Sequence, residues 1–400
     1  MTTATEKKKL IILGGSYAGI STAHYILKHV LPKLSSSSYQ VLLISTTSQT
    51  MCRPAAPRAI ISDDMFDQKK LFVDIAGCFA QYTNNDDDGL FKFMQGTATF
   101  LDHGASTVVI RCGGQVKGEI VVKYHALIIA TGSTTYSPLL GFTTDEEALR
   151  DNWTTFRHKL NTPDLRHIVI AGGGASGVET AGELAEYLSL SKRNVRITLL
   201  SGGKRLLPYL RADMAKTAET YLSRLDVEVV HNLRVAVVGT DTGLTLDNGE
   251  VWNVDLYIPA VGARPNTEFV ADVLRTKDGR VDADPETLRV RRAGDRVFAI
   301  GDCASAARPA IHNIMAMVPV LGANIKRDLL LAEGQVAGVD RLFREDTRMT
   351  QLVPIGRSKG VGAVMGWRVP SFLVWLIKGR DYWLWTTGNL WSGKQWAKES

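Results

Sequence analysis

HIVIAGGGASGVE, residues 167–179, opens with a short β-branched run and then turns through three consecutive glycines. A run of that length ending in glycine reads as a buried strand. Gly172, Gly174 and Gly177 stand at the G-x-G-x-x-G spacing. In that pattern the first glycine makes a tight turn, the second lets a phosphate approach the backbone, and the third lets the helix pack closely. A helix is expected from about Ser176 to Leu190, then a strand over Val195–Leu200. The free N–H groups and positive dipole end of such a helix suit a pyrophosphate. The second strand ends at Ser201, where an acid would bind a ribose, and Lys204 and Arg205 follow. These two are solvated loop charges or partners of a 2′-phosphate, so NADPH is admitted beside NADH.

The same pattern occurs about 158 residues earlier. KLIIL, residues 9–13, leads into Gly14-Gly15-Ser16-Tyr17-Ala18-Gly19, with a helix expected through about Leu31, a polar loop at Ser35–Ser38 and a strand over Val41–Ile44. The offset is too long for a solenoid and reads as two domains of one type. Ser16 takes the middle glycine position and Ser45 the place of the ribose acid. A small side chain is tolerable at the former; Gly14 and Gly19 keep the turn and the packing contact.

Between the loops lies a β-rich segment, about residues 92–130. It ends in a buried strand and Ala130-Thr131-Gly132, where the chain must turn beside the first loop. After the second loop, Asp247-Asn248-Gly249 reads as a hairpin turn. VFAIG, residues 297–301, makes another buried strand, and Asp302 is expected to open a helix running to about Leu331. A carboxylate there suits the ribityl hydroxyls of a flavin. Four short motifs in this order point to FAD on the first loop and NADH or NADPH on the second.

GGSYAG, ATG, GGGASGVE, VGARPN and AIGDCA in that order resemble the pyridine-nucleotide flavin oxidoreductases. Within them the chain is similar to the apoptosis-inducing-factor-like family, in particular the ferroptosis-suppressor-type NAD(P)H quinone reductases and their fungal relatives. The resemblance runs end to end and includes AAPRA (55–59), GRSKGVG (356–362) and IKGRD (377–381). It implies an α/β fold of two Rossmann-like, three-layer ββα domains, the NAD(P) domain inserted in the FAD domain, with a small C-terminal α+β domain. The expected division is 1–140 and 268–335 for FAD, 141–267 for NAD(P)H and 336–400 for the C-terminal domain. The resemblance further implies that Arg58 contacts FAD, that Ala98 offers backbone to adenine, that Asp302 binds the flavin, and that Glu179 stands beside the nicotinamide. Lys378 is expected at the isoalloxazine, where a cation would stabilise the reduced, anionic ring.

Composition is globular, with 45% hydrophobic and 22% charged residues. The four cysteines form no CxxC pair and no metal-ligand spacing, which argues against a disulfide framework, a redox-active cysteine pair or a zinc site. No metal is expected. No signal peptide, myristoylation site or transmembrane run is legible, so a cytoplasmic location is expected. The net charge is +6, and residues 341–400 alone hold ten Lys/Arg against four Asp/Glu, together with six of the eight tryptophans. This tail reads either as core and dimer contacts or as a peripheral contact with an anionic membrane. The leading expectation is an enzyme that oxidises NAD(P)H through FAD and reduces a quinone or similar aromatic carbonyl compound. One alternative is a tailoring oxidoreductase of fungal secondary metabolism. The other is a redox-gated module binding a protein or nucleic acid, a non-catalytic reading disfavoured by the intact glycine loops.

Overall fold

The computed structural model describes residues 7–34, 38–82, 89–114, 118–239 and 243–399. The Asp86–Asp88 run and most of the serine loop lie outside them. Lys8–Leu13 is an interior strand of a seven-stranded sheet. It pairs in parallel with Tyr39–Ser45 on one side and Ala126–Ile129 on the other, and Val297–Ala299 extends the parallel run. Beyond Tyr39–Ser45, the strand Phe91–Asp102 continues the parallel set and then pairs antiparallel with Thr107–Cys112, which pairs with Glu119–Lys123. The strand residues Leu10 to Leu13 and Ala126 to Ile129 are buried. Parallel strands covered on both faces require such continuous apolar runs.

The second sheet repeats the plan. His167–Ala171 pairs in parallel with Arg196–Ser201 and with Leu256–Pro259, and Val227–His231 adds a fourth parallel strand. A three-stranded antiparallel sheet, Val235–Val238, Gly243–Leu246 and Val251–Asn253, follows as its counterpart of the first domain's antiparallel strands. Its hairpin turns at Asp247–Gly249, with Gly249 at φ +89°. The chain passes from the first unit to the second and back through Ser133–Thr135 and Ala263–Pro265, which pair antiparallel with each other. One unit is thereby inserted in the other.

The helix expected to open at Asp302 begins at Ile311 and runs to Ala332. Gly301 has φ +82°, outside the helical region. Pro309 then biases Arg308 away from helix. Asp302 therefore sits in a turn and has no helix N-terminus behind it.

The C-terminal segment joins the two units. Gln351–Ile355, Lys359–Val364 and Trp367–Arg368 form an antiparallel sheet, and Ile355 and Val361 share a core with the second-loop helix. The last helix, Leu384–Trp391, returns to the first unit, where Trp391 and Trp396 enter its core. Basic side chains of the first-loop helix and its extension hold this end by its carbonyls. His24 Nε2 meets the Trp391 oxygen at 2.9 Å, His29 Nε2 the Trp396 oxygen at 2.8 Å, and Lys28 donates to Gly393. Trp391 is 3% exposed and Trp367 79%. The tail thus divides: two tryptophans are core, and Trp367, Trp375 and Trp385 are exposed with Phe372 and Leu376.

Candidate active site

The two glycine loops are near copies in backbone detail. Gly14 and Gly172 adopt φ +119° and +127°, conformations that L side chains rarely reach. A Cβ on Gly14 would lie 2.6 Å from the Ala130 carbonyl carbon, and one on Gly172 2.7 Å from that of Ala260. The third glycines are as tight: a Cβ on Gly19 would stand 2.9 Å from the Gly14 carbonyl carbon, and one on Gly177 3.1 Å from that of Gly172. Ala130 N–H donates to Leu13 and Ala260 N–H to Ala171 in the same way. Ser45 and Ser201 are buried beneath Gly15 and Gly173.

The middle position differs in kind. A Cβ on Gly174 would meet nothing within 4 Å, so the protein itself does not require glycine there. Its freedom serves an incoming group, and Ser16 fills the equivalent place while exposed. Ser16 and Gly174 each cap a helix without a side-chain cap bond, and neither first turn carries an acid. The leading N–H groups and the positive helix end are left for an anion. Both loops therefore fit a dinucleotide pyrophosphate.

Around the first loop, Ala18 lies against Gly301, which sets Asp302 beside it. Asp302 Oδ2 accepts from Ser133 Oγ at 2.9 Å, and Arg53 donates to the Ser133 carbonyl at 2.8 Å. Thr131 and Gly132 are tied to the returning strand by Asn266, whose Nδ2 donates to the Thr131 carbonyl at 3.0 Å. Ala98 lies three residues beyond Gln95, where the parallel pairing ends, beside a register irregularity.

Three chain segments meet in a buried charged cluster between the loops. Glu179, two residues past Gly177, accepts from Lys378 Nζ at 2.5 Å; Lys378 also donates to the Leu352 carbonyl at 3.1 Å. One helical turn on, Glu183 takes Arg58 in a two-pronged pair at 2.7 and 2.8 Å and the Tyr382 hydroxyl at 2.9 Å. Arg58, expected at the flavin, spends its remaining reach on the Arg380 carbonyl and the face of Tyr382. Tyr382 and Trp383 are successive non-glycine residues at φ +52° and +69°. Such backbone is held only where surroundings over-determine it. It sets the Trp383 ring 5.2 Å from Lys378 Nζ. Burial raises the Glu179 carboxyl to about 7, against the opposing pull of Lys378. Tyr17 at the first-loop helix donates to Cys52 Sγ, which reaches the Tyr382 carbonyl, so the cluster abuts the first loop.

Cys52 is fully buried, and burial lifts its thiol to about 11. It is no thiolate at neutral pH. All four cysteines are free, with Cys303 packed in the core. His312 lies in the first turn of its helix beside Arg308, and burial lowers its pKa. No group of three or more metal-ligating side chains occurs among the described residues.

A cavity of about 240 Å³ lies at the C-terminal ends of the second sheet, lined by Gly172, Gly202, Leu233, Arg234, Tyr257 and Val261 among others. Open α/β sheets bind ligands at this edge, where strand order reverses. A cleft of about 350 Å³ at Pro163, Arg166 and Arg193 is at the opposite strand ends.

Glu183, Tyr382, Arg53, Asn266 and Arg234 were not singled out from sequence. Glu183 had a signal, since it stands four residues from Glu179 on the same helix face. The others come together only through the fold.

Two equivalent dinucleotide cradles, one unit inserted in the other, with charge buried between them, define a two-nucleotide oxidoreductase. The chain belongs to the pyridine nucleotide-disulphide oxidoreductase family, whose pattern matches residues 8–320. It is 54% identical to oxidoreductase phnG of Penicillium herquei, covering 100% of this chain and 99% of that protein. It is 24% identical to ferroptosis suppressor protein 1 of Taeniopygia guttata over 93% of each. Its fold matches that of NDH2 from Plasmodium falciparum in complex with NADH, at TM-score 0.66 and 15% identity over 99% of both chains.

Proposed function

We propose that the chain holds FAD on the first loop, takes electrons from NADH or NADPH on the second, and reduces a quinone or similar aromatic carbonyl compound beside Lys378. The observation that carries this is the buried Glu179–Lys378 pair, set between two cradles whose middle positions are open to a ligand. Gly14, Gly15, Ser16, Ala18 and Gly19 would hold the pyrophosphate of FAD, with Asp302, Ala130–Gly132 and Ala98 along its length. Gly172, Gly174 and Gly177 would hold that of the nicotinamide coenzyme. A bound flavin supplies two-electron exchange between the coenzyme and the acceptor. Reducing a quinone also consumes protons. Glu179, with its carboxyl near 7, holds or releases one at neutral pH, and Lys378 Nζ is in hydrogen-bond contact to share it. Burial of the pair keeps bulk water from both atoms.

Anaerobic addition of NADH or NADPH to the purified flavoprotein should bleach the flavin absorption. An unbleached spectrum with both would end the proposal. Menadione and a short-chain ubiquinone then test the acceptor. The 54% identity to a fungal oxidoreductase supports, as a second reading, a tailoring oxidoreductase of fungal secondary metabolism. Fast turnover of both quinones counts against it.

Peripheral membrane contact through Trp367, Phe372, Trp375 and Leu376 is part of the same proposal, supported by their exposure and by the tail's positive charge. No helix among the described residues is long and apolar enough to cross a membrane. Flotation with phosphatidylserine vesicles should be lost in a Trp367→Ser/Phe372→Ser variant, and equal flotation of the two proteins would remove this element.

A further inference from the structure

The cavity on the second sheet is basic where a site for NADH would be acidic. Ser201 closes its strand buried under Gly173, and Gly202 to Arg205 contain no carboxylate. The ribose hydroxyls of NADH are ordinarily taken by an acid at this strand end. Arg234 covers the place. It arrives from the crossover between Val227–His231 and Val235–Val238 and lies across Gly202, where a Cβ would stand 2.7 Å from Arg234 Cγ. Its guanidinium donates to the Gly202 carbonyl at 3.3 Å. Its backbone is pinned on both sides by Asp247, whose Oδ1 accepts the Arg234 N–H at 3.1 Å and whose own N–H donates to the Arg234 carbonyl at 2.9 Å. Asp247 thereby fixes the main chain, and among the described residues no carboxylate forms an ion pair with the Arg234 side chain.

Lys204, exposed, stands on the same loop as Gly202. Arg205, the other basic residue legible there, is committed elsewhere: its guanidinium donates to the Leu210 and Pro208 carbonyls at 2.8 and 2.9 Å. The cavity therefore offers an arginine with most of its five donors unspent and no carboxylate from the strand end, and Lys204 stands two residues along the loop from Gly202. That chemistry suits a phosphomonoester on the ribose and leaves bare ribose hydroxyls without a carboxylate acceptor from the strand end.

We propose that the second site selects NADPH over NADH, with Arg234, assisted by Lys204, as the residue that takes the 2′-phosphate. The inference rests on the reading that the second loop holds a nicotinamide coenzyme. Two adenosine ligands separate the two ideas by calorimetry on the full-length flavoprotein, with no turnover involved. Adenosine 2′,5′-bisphosphate should bind about tenfold or more tighter than 5′-AMP, as a charge-assisted contact implies. Arg234→Ala should abolish most of that ratio while leaving 5′-AMP affinity nearly unchanged. Arg234→Lys, which keeps charge without the fork, should give an intermediate ratio. The ratio of kcat/KM for NADPH over NADH should fall in parallel. Equal affinity for the two ligands, or a ratio that Arg234→Ala does not change, overturns the inference and leaves the second-loop site standing. Failure of a folded protein to bind either ligand overturns both.

Discussion

Replacing Lys378 by Met leaves Glu179 buried without its cation. The side chain is buried, and Lys378 Nζ stands 2.5 Å from its carboxylate. In the native protein the carboxyl is raised from 4.5 to about 7, first by burial. A raised folded-state value means that the unfolded chain releases its proton first. Stability therefore falls as pH rises from about 4.5 to about 7 and is level above, a loss of roughly 3 kcal/mol at 1.36 kcal/mol per unit. Lys378 lowers the carboxyl, so its removal carries the folded-state value above 7 and extends the decline. The variant should match the native protein closely near pH 5.5, where Glu179 is protonated in both. The gap should open above pH 7, toward the roughly 3–5 kcal/mol expected for breaking a buried pair. Thermal unfolding followed by tryptophan fluorescence at pH 5.5, 7 and 9 measures it. Adding Glu179→Gln removes the ionisable partner and should close most of the gap at pH 9. A gap that is constant across pH, or a double variant no better than Lys378→Met, would refute the reasoning.

Tyr382→Phe removes a 2.9 Å hydrogen bond to buried Glu183 and should destabilise by roughly 1.5–3 kcal/mol in urea titrations, the range for bonds to charged groups. Ser16→Gly should leave the melting temperature unchanged and flavin content equal or higher, because the equivalent Gly174 touches nothing; Gly14→Ala should purify without flavin, as judged by the absorbance ratio of flavin to protein. Trp391→Ala should cost about 3–5 kcal/mol by cavity formation, whereas exposed Trp367→Ala should stay within about 0.5 kcal/mol, with chemical denaturation as the measure. Cys52 should resist iodoacetamide at pH 7.5 in the native protein and react after unfolding, as read by mass spectrometry, because the buried thiol titrates near 11.

The glycine loops were legible because they are local. The turn at Gly14 and the packing at Gly19 are steric demands within six residues, and the flanking apolar runs declare their strands by pattern alone. Their repetition, with Ala130–Gly132 and Asp302 in order, was enough for the fold class and nominated the two loops as nucleotide sites. The helix start after Asp302 was misplaced because Gly301 and Pro309 act on backbone conformation more strongly than the apolar pattern downstream.

The charged cluster is another matter. Arg58 and Glu183 are 125 residues apart, and Glu179 and Lys378 199 apart. Residue types at such separations carry no pairing information until burial forces each charge to find a partner. The resemblance nominated Arg58, Glu179 and Lys378 one by one; only packing decided that two carboxylates on one helix face would be matched by two cations from different segments. The same holds for the tail, where tertiary contacts made Trp391 and Trp396 core anchors, left Trp367, Trp375 and Trp385 exposed, and half-buried Trp383. It holds for Arg234, which reaches the cavity beside Gly172 only because the chain crosses over Gly202. By itself the sequence determined what short-range sterics and periodicity can encode: two phosphate-binding turns and the sheets that present them. The tertiary structure decided which charges those sheets bring together, because ionic pairing depends on distance in space and on the exclusion of water.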